Sequence, residues 1–247
     1  MIFATGDTHG NFLRFTTEHF PEQKQMGRED YVIICGDFGG LWNDSAEERY
    51  WLNWLNDKPF TTLWVDGNHE NYDMLKDISI EDWHGGKGQR IRPNIFHLMR
   101  GQVCDIERYT FFVMGGARSH DIEDGILNPG SSDFNIRYRR LKKRKASFRV
   151  LGQSWWPEEM PFDEEYQLAL ETLERVSWDV DYVVTHCGPT SVVQQLDLRY
   201  ESDPLTDFLE RIRKRIQCHY WLFGHYHDNQ IIDDKYVLLW EQIVQVL

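Results

Sequence analysis

An amide and an imidazole stand side by side in a turn that follows a predicted β-strand. Residues 61–65 are rich in strand-forming side chains, and Gly67-Asn68-His69-Glu70 comes almost directly after them. Open α/β sheets bind their ligands at the carboxyl ends of buried strands. Asn68 offers a neutral oxygen to a metal ion, and His69 offers a nitrogen ligand or a proton donor. Gly-Asn is also a common turn dipeptide, so this motif gains weight only from others of the same kind.

Four further predicted strands end in side chains of the same types. Asp7 and His9 follow the first strand at a spacing of two, which directs both side chains to one side of an extended segment. A helix N-cap with a structural histidine is the alternative interpretation of this pair. The other strand-end residues are Asp37 after Gly36, His186 after Thr185, and the pair His225 and His227.

These motifs require several strands whose carboxyl ends lie at one edge of a sheet. Apolar runs predict strands at 1–5, 31–35, 61–65, 94–99, 109–114, 181–185, 220–223, 236–240 and 243–247. Helices are predicted at 11–20, 45–56, 71–78, 162–178 and 203–217, because these segments are amphipathic or come soon after a predicted strand. The alternation of strand and helix over the first 70 residues predicts a βαβαβ unit with parallel strands.

Composition excludes several classes of protein. The 247 residues carry a formal net charge of −13, and 41% of them are hydrophobic. This length and apolar content suffice for one large α/β domain or two small ones, and a single domain over 1–247 is expected. The negative charge argues against nucleic acid or an anionic membrane binding most of the surface. No apolar run approaches the roughly 18 residues of a membrane helix, and Met1-Ile2-Phe3 lacks the basic start of a signal peptide. Four scattered cysteines predict reduced thiols and a cytoplasmic location.

One stretch differs from the acidic remainder. Residues 122–161 form a predicted insertion, and the segment 136–149 contains eight of the 27 basic residues and no acid. Such a segment is suited to attract phosphate groups or a polynucleotide. A solvated insertion that balances charge is the alternative, favoured by the few aromatic residues between the cations. Trp155 and Trp156 follow this segment. They are expected to anchor the insertion to the rest of the domain or to line the active-site cleft, and the two roles are compatible.

The strand-end residues together suit two metal ions. They comprise two carboxylates, one amide and four imidazoles, which exceeds the needs of one tetrahedral zinc ion. Two ions about 3.5–4 Å apart, bridged by one carboxylate, fit this number of ligands. Nitrogen and oxygen ligands of this kind accommodate divalent or trivalent manganese, iron, zinc or nickel, and manganese is the expected metal.

The ordered set of motifs resembles the calcineurin-like metallophosphoesterases. The matching segments are Gly6-Asp7-Thr8-His9-Gly10, Gly36-Asp37, Gly67-Asn68-His69-Glu70, Thr185-His186 and Gly224-His225-Tyr226-His227. They occur in the order typical of that family and span nearly the whole chain. The resemblance implies a four-layer α/β/β/α sandwich with two mixed β-sheets, with the metal ions at the carboxyl ends of the strands.

The resemblance also implies a role for each strand-end residue. It assigns Asp7, His9 and His227 to one metal ion, Asn68, His186 and His225 to the other, and Asp37 to both. His69 is not a ligand in this scheme but contacts the phosphate or protonates the leaving oxygen, so His69 and Asp37 are the expected catalytic residues. Two cations then neutralise the phosphate, and a bridging hydroxide attacks phosphorus in line.

The chain departs from one branch of the family. Protein serine/threonine phosphatases continue the second motif with an Asp-Arg pair, where this chain has Gly40 and Leu41. The carboxylate that would orient His69 and the arginine that would hold phosphate are therefore missing at those positions. The expected substrate contacts are Asn68, His69, Arg118 and Arg149. The stretch Gly115–Asp121 and the tryptophan pair resemble a bacterial and phage branch.

Three functions are compatible with these features. The first is a dinuclear phosphoesterase that acts on a small or nucleotide phosphate ester. The second is a nuclease or nucleic-acid end-processing enzyme with the same chemistry, in which segment 136–149 binds the polynucleotide. The third is a metal-binding scaffold without turnover, in which the insertion binds a partner. The sequence leaves the oligomeric state open.

Overall fold

Two mixed β-sheets face each other in the computed structural model, which describes residues 1–247. The strands of the first sheet are β1 (Ile2–Thr5), β2 (Tyr31–Ile34), β3 (Thr61–Trp64), β4 (Ile80–Trp83), β5 (Gly86–Arg92), β6 (Ile95–Leu98) and β15 (Val244–Gln245). Those of the second sheet are β7 (Gln102–Ile106), β8 (Tyr109–Met114), β11 (Tyr182–Thr185), β12 (Tyr220–Phe223), β13 (Gln230–Ile232) and β14 (Tyr236–Leu238). A small separate sheet pairs β9 (Ile126–Leu127) with β10 (Arg149–Val150).

Six α-helices accompany the strands. They are α1 (Ala46–Asn56), α2 (Tyr72–Lys76), α3 (Phe134–Arg144), α4 (Asp163–Arg175), α5 (Thr190–Leu196) and α6 (Pro204–Arg213). Short 3₁₀ helices occur at Leu13–Phe15, Pro21–Gln25 and Pro157–Glu159. None of the helices has the length and apolar character needed to cross a membrane.

Each large sheet has a parallel centre. In the first sheet the order is β15-β1-β2-β3-β6-β5-β4, and β1, β2, β3 and β6 run parallel. In the second the order is β13-β14-β12-β11-β8-β7, with β8, β11, β12 and β14 parallel. The register aligns Thr5 with Ile34 and Ile34 with Trp64, so the first three strands end at one level. Their carboxyl-terminal loops therefore start at the same edge.

Three layers of apolar packing hold the sheets and helices together. Ile33 and Leu63 of the first sheet pack with Val113 and Val184 of the second in the core between the sheets. Trp64, on the outer face of the first sheet, packs with residues of α1 and α2. A third cluster joins the outer face of the second sheet to α4, α5 and α6. Successive side chains along each strand point to opposite faces, so each sheet packs against the other sheet on one face and against helices on the other. The result is the predicted four-layer α/β/β/α sandwich.

Some predicted elements are absent or shorter than expected. Residues 11–20 form only the 3₁₀ turn Leu13–Phe15, because Phe12, Phe15 and Phe20 are all fully buried, and tertiary packing overrides helix propensity there. The predicted helix 71–78 is reduced to Tyr72–Lys76. The antiparallel extension formed by β4 and β5 was not expected, because β5 begins Gly-Lys-Gly-Gln-Arg and lacks an apolar run.

The insertion has a structure of its own. Helix α3 packs across the two-stranded sheet through a small core that contains Leu127, Leu141 and Val150. Trp156 fixes its end to the body, since the indole is buried and its Nε1 donates to Asp73 Oδ2 at 2.7 Å. The anchoring role expected for the tryptophans therefore applies to Trp156.

A buried ion pair stabilises the loop that follows β3. Arg100 Nε donates to Asp66 Oδ2 at 2.8 Å, and its Nη2 donates to the hydroxyl of Tyr72 at 2.8 Å. His97 Nε2 lies 3.2 Å from Asp66 Oδ1. Burial acts to raise the pKa of Asp66, but Arg100 and His97 outweigh it and hold that pKa below its usual value. The carboxylate is therefore charged, buried and dependent on Arg100.

We expect Arg100→Met to lower the free energy of unfolding by about 3–5 kcal/mol, because it leaves a buried carboxylate without its partner. Urea denaturation monitored by circular dichroism measures this loss. Arg108→Met, at an exposed turn between β7 and β8, serves as the control and should change stability by less than about 0.5 kcal/mol. A loss below about 1 kcal/mol for Arg100→Met would contradict this role of the ion pair.

Candidate metal centre

Three of the predicted ligands converge at the end of β1. The candidate ligand atoms of Asp7, His9 and His227 all lie within 4.8 Å of one another. His9 Nε2 is 3.1 Å from His227 Nε2, and His227 Nε2 is 3.1 Å from Asp7 Oδ2. Both imidazoles are exposed, whereas the carboxylate is buried. This group brings together the residues that the sequence assigns to the first metal ion.

A second group forms where the two sheets meet. His186, at the end of β11, has its Nε2 3.2 Å from Asn68 Oδ1 and 3.4 Å from Asp37 Oδ1. The ring of His225 lies 5.0 Å from that of His186 between centroids. The structure thus places together the three residues assigned to the second ion. Asp7 also approaches this group, with its Oδ1 4.0 Å from His186 Nδ1.

Asp37 lies between the two groups. Its Oδ2 is 3.8 Å from His9 Nε2, and its Oδ1 is 3.4 Å from His186 Nε2. The carboxylate therefore presents one oxygen to each group. Its Oδ1 also accepts a hydrogen bond from the backbone N–H of His69 at 2.7 Å.

The electrostatics of the cluster favour a cation. Burial acts to lower the pKa of His186, but Asp37 and Asp7 outweigh it and raise that pKa to about 10. Burial likewise acts to raise the pKa of Asp37, and the neighbouring imidazoles hold it below its usual value. Asp7 Oδ2 is buried and has no hydrogen bond of acceptable geometry, although His227 Nε2 lies 3.1 Å away. Two buried carboxylates thus need positive charge, and the oxygen and nitrogen atoms present are ligands that divalent metals accept.

The backbone of the ligand loops takes an uncommon conformation. Positive φ angles occur at His9 (46°), Asp37 (47°), His225 (72°) and His227 (50°). Such conformations are rare for residues other than glycine and are concentrated at functional sites. Gly67 is required for a different reason, since a Cβ atom there would overlap Asp37 Oδ1 and crowd His186 Nε2. The glycine before Asn68 is therefore fixed by the close approach of the ligands.

A second set of side chains orients the ligands. His186 Nδ1 lies 2.8 Å from the carbonyl oxygen of Cys35, which leaves Nε2 to face the cluster. Arg14 Nη1 donates to the carbonyl of Gly6 at 3.2 Å, and its Nη2 donates to that of Asp7 at 2.7 Å. The first ligand loop is thereby held through its backbone.

Asn68 is oriented by Ser119 and Glu159, for which the sequence predicted no supporting role. Its Nδ2 donates to Ser119 Oγ at 3.3 Å, and Ser119 Oγ donates to Glu159 Oε2 at 2.5 Å. Both supporting side chains are buried. With the amide nitrogen engaged by Ser119, Oδ1 is directed at His186. The sequence contains no local signal for this link, because the three residues are far apart along the chain.

His69 lies at the edge of the cluster, with its ring 5.1 Å from that of His9 between centroids. Burial lowers its pKa, Asp37 opposes this, and Arg149 adds to the lowering. The balance of these effects leaves the pKa of His69 below its usual value. Arg149 Nη2 approaches His69 Nδ1 at 3.5 Å, and Arg149 is paired with Asp121.

Arg118 is placed differently. It is exposed and lines a cavity of about 720 Å³ beside the metal cluster, together with His120 and Tyr200. The ring of His120 lies 4.6 Å from that of His225, so the cavity opens next to the second ligand group. Arg118 makes no hydrogen bond to any predicted ligand. Of the two arginines suggested by the sequence, only Arg149 contacts the cluster.

Two facing mixed sheets with a carboxylate and imidazole cluster at their carboxyl ends define a metallophosphoesterase fold. The chain belongs to the calcineurin-like phosphoesterase family, whose family model matches residues 1–229. This confirms the family expected from the five motifs. The family match does not show membership of the bacterial and phage branch.

The chain is similar to several lariat debranching enzymes. The protein of Schizosaccharomyces pombe is 24% identical over 225 residues, which cover 80% of this chain and 42% of that protein. Lariat debranching enzyme A of Xenopus laevis is 23% identical over 185 residues, or 63% of this chain and 33% of its own length. The human enzyme is likewise 23% identical over 185 residues, or 63% and 32%. The chain thus matches 32–42% of the length of these relatives.

We expect Ser119→Ala to weaken metal binding by about 10–100-fold, because residues that orient a ligand commonly have effects of that size. Titration of metal-stripped protein with Mn²⁺ measures the change. Ser191→Ala is a matched control, since Ser191 Oγ donates to Glu210 at 2.8 Å and forms no hydrogen bond to a predicted ligand or to a residue that orients one. Equal affinities for the two variants would show that Ser119 does not support Asn68.

Proposed function

We propose that this chain hydrolyses phosphate esters at a dinuclear metal centre. The single observation that carries the proposal is the position of Asp37, whose two oxygens face two separate groups of ligands. On this proposal Asp7, His9 and His227 hold one ion, and Asn68, His186 and His225 hold the other. Manganese is the proposed metal, with iron, zinc or nickel as alternatives.

The residues of the chain would divide the chemistry between them. When bound, two such cations neutralise charge on the phosphate and lower the pKa of a shared water. Asp37 fixes the distance between the two ligand groups. His69 stands beside them with Nε2 free of hydrogen bonds within the chain, so it is placed to donate to an oxygen of the phosphate or of the leaving group. Arg149 brings a positive charge to the same side.

The substrate class proposed first is a small or nucleotide phosphate ester. The cavity beside the second ligand group has room for such a leaving group and combines Arg118 with the rings of His120 and Tyr200. Assignment to the bacterial and phage branch, suggested by Gly115–Asp121, remains a prediction. The four cysteines are free, which supports a reducing compartment such as the cytoplasm.

The test is an assay of metal-stripped protein reloaded with Mn²⁺ on p-nitrophenyl phosphate and bis(p-nitrophenyl) phosphate. Wild-type protein should hydrolyse at least one ester, and Asp37→Asn should lose metal and activity together. His69→Ala should keep its metal and lose about 10²–10⁴-fold in turnover. Asp82→Asn, an exposed carboxylate on β4, is the control and should behave as wild type.

Two outcomes would contradict the proposal. Two ions retained in Asp37→Asn would exclude the bridging role. Two ions bound to the wild-type protein without turnover of either ester would favour the metal-binding scaffold over the enzyme.

A polynucleotide substrate is the second candidate, and helix α3 favours it. None of the seven cations between 137 and 145 forms an ion pair, and six of them are exposed. The eighth basic residue of the segment, Arg149, is paired with Asp121. Unpaired cations on one helix suit a phosphate backbone. The relatives named for debranching lariats support the same class of substrate.

We expect a labelled single-stranded RNA to bind with an affinity that falls as salt rises. Replacing Arg140, Lys143 and Arg144 by Ser should reduce the slope of log affinity against log salt by about 2, since each lost phosphate contact on a single strand removes about 0.7. Fluorescence anisotropy measures the slope. A control replaces Lys24, Arg211 and Lys235 by Ser and should leave the slope unchanged. Equal slopes for the two triple variants would rule out α3 as the binding surface.

A further inference from the structure

We propose that Arg149, held by Asp121, is the positioning residue of His69 and fixes which ring nitrogen carries the proton. The inference rests on the proposed function for its catalytic meaning, but its structural content does not depend on turnover. It assigns the insertion a direct part in the metal centre, through β10.

The contacts connect three side chains in a row. Arg149 Nε donates to Asp121 Oδ1 at 2.8 Å, and Nη2 donates to Asp121 Oδ2. The same Nη2 lies 3.5 Å from His69 Nδ1. This last distance is long for a hydrogen bond, as is common at catalytic groups without a bound substrate. The paired contact with Asp121 restricts the guanidinium to one plane and one direction.

The backbone also holds Arg149 in place. Arg149 belongs to β10, which pairs with β9, and its backbone N–H donates to the carbonyl of Gly125 at 3.2 Å. The next residue, Val150, is buried in the small core of the insertion. The guanidinium therefore projects from an anchored strand and is not a mobile surface group. Asp121 lies just before the insertion, in the loop after β8. The ion pair between Arg149 and Asp121 therefore joins the insertion to that loop.

The chemistry of a guanidinium determines the tautomer. Arginine can only donate hydrogen bonds, so the ring nitrogen that faces it must offer a lone pair. His69 Nδ1 is then unprotonated, and the proton of the neutral ring resides on Nε2. A carboxylate in the same position would have the opposite effect, since it accepts from Nδ1–H and leaves Nε2 without a proton in the neutral ring.

In this arrangement Arg149 orients His69, the role that a carboxylate at the position of Gly40 has in the protein phosphatases. A neutral His69 with its proton on Nε2 can donate to a phosphate or leaving-group oxygen without first becoming an imidazolium. Nε2 has no partner within the chain that would compete for this hydrogen bond. Arg149 thus supplies orientation, and His69 makes the contact with the substrate.

The first test reads the tautomer directly and requires no substrate. Protein loaded with diamagnetic Zn²⁺ and labelled with ¹⁵N-histidine is examined by NMR, with the His69 signals assigned from the His69→Gln spectrum. We expect the Nε2–H form in wild type, a mixture of forms in Arg149→Ala, and an intermediate result in Arg149→Lys and Asp121→Asn. The exposed control Arg108→Ala should match wild type. An unchanged tautomer in Arg149→Ala would overturn the proposal.

The second test separates positioning from substrate binding. In Arg149→Ala, kcat for the ester that wild type hydrolyses best should fall by about 10²-fold because His69 is misplaced, while KM stays nearly constant. Guanidinium ions at concentrations well below those that denature should restore part of kcat. A raised KM with unchanged kcat would instead make Arg149 a phosphate-binding residue and overturn the positioning role. If wild type lacks turnover altogether, the proposed function fails, and the NMR result still decides the inference.

Discussion

The structure depends on keeping two buried carboxylates close together. Asp7 and Asp37 lie on loops that face the same group of imidazoles, and the buried carboxylate of Asp37 must remain charged. Isolated buried charges cost several kcal/mol each, so the arrangement is stable only if positive charge is supplied. In the chain itself that charge comes from His186, whose pKa Asp37 and Asp7 raise against the effect of burial to about 10. Metal ions would provide it more completely and release the histidine proton.

The two-sheet architecture meets this requirement through its strand ends. The first sheet supplies Asp7, Asp37 and Asn68 at neighbouring parallel strands that end at one level. The second supplies His186 and the pair His225 and His227. The core between the sheets brings the two edges together, and the motif glycines permit the close approach. The supporting contacts of Arg14, Ser119 and Glu159 then fix the loops, so the ligands owe their positions to tertiary structure and not to any single element.

Much of this could be predicted because parallel strands impose a simple rule on sequence. Apolar runs that stop at Gly-Asp, Gly-Asn-His or Thr-His place their last residues at one edge, and the structure brings together all seven expected ligands there. Ser119, Glu159 and Asp121 were missed as supporting residues, since each acts on a residue more than 25 positions away in sequence and contacts of that range leave no local pattern. Helix 11–20 failed because three buried phenylalanines set the local backbone, and β4 and β5 were missed because their residues are largely polar. The basic segment 136–149 was recognised by charge alone. Arg149 was expected as a substrate contact together with Arg118, and only the structure shows that Arg149 is the one beside His69.

The most direct test of the account is anomalous X-ray diffraction from crystals equilibrated with Mn²⁺. Two anomalous peaks about 3.5–4 Å apart, with Asp37 between them, His9 and His227 beside one peak and Asn68, His186 and His225 beside the other, are the predicted result. A single peak, or two peaks that Asp37 does not bridge, would contradict the dinuclear centre on which the proposed phosphoesterase chemistry depends.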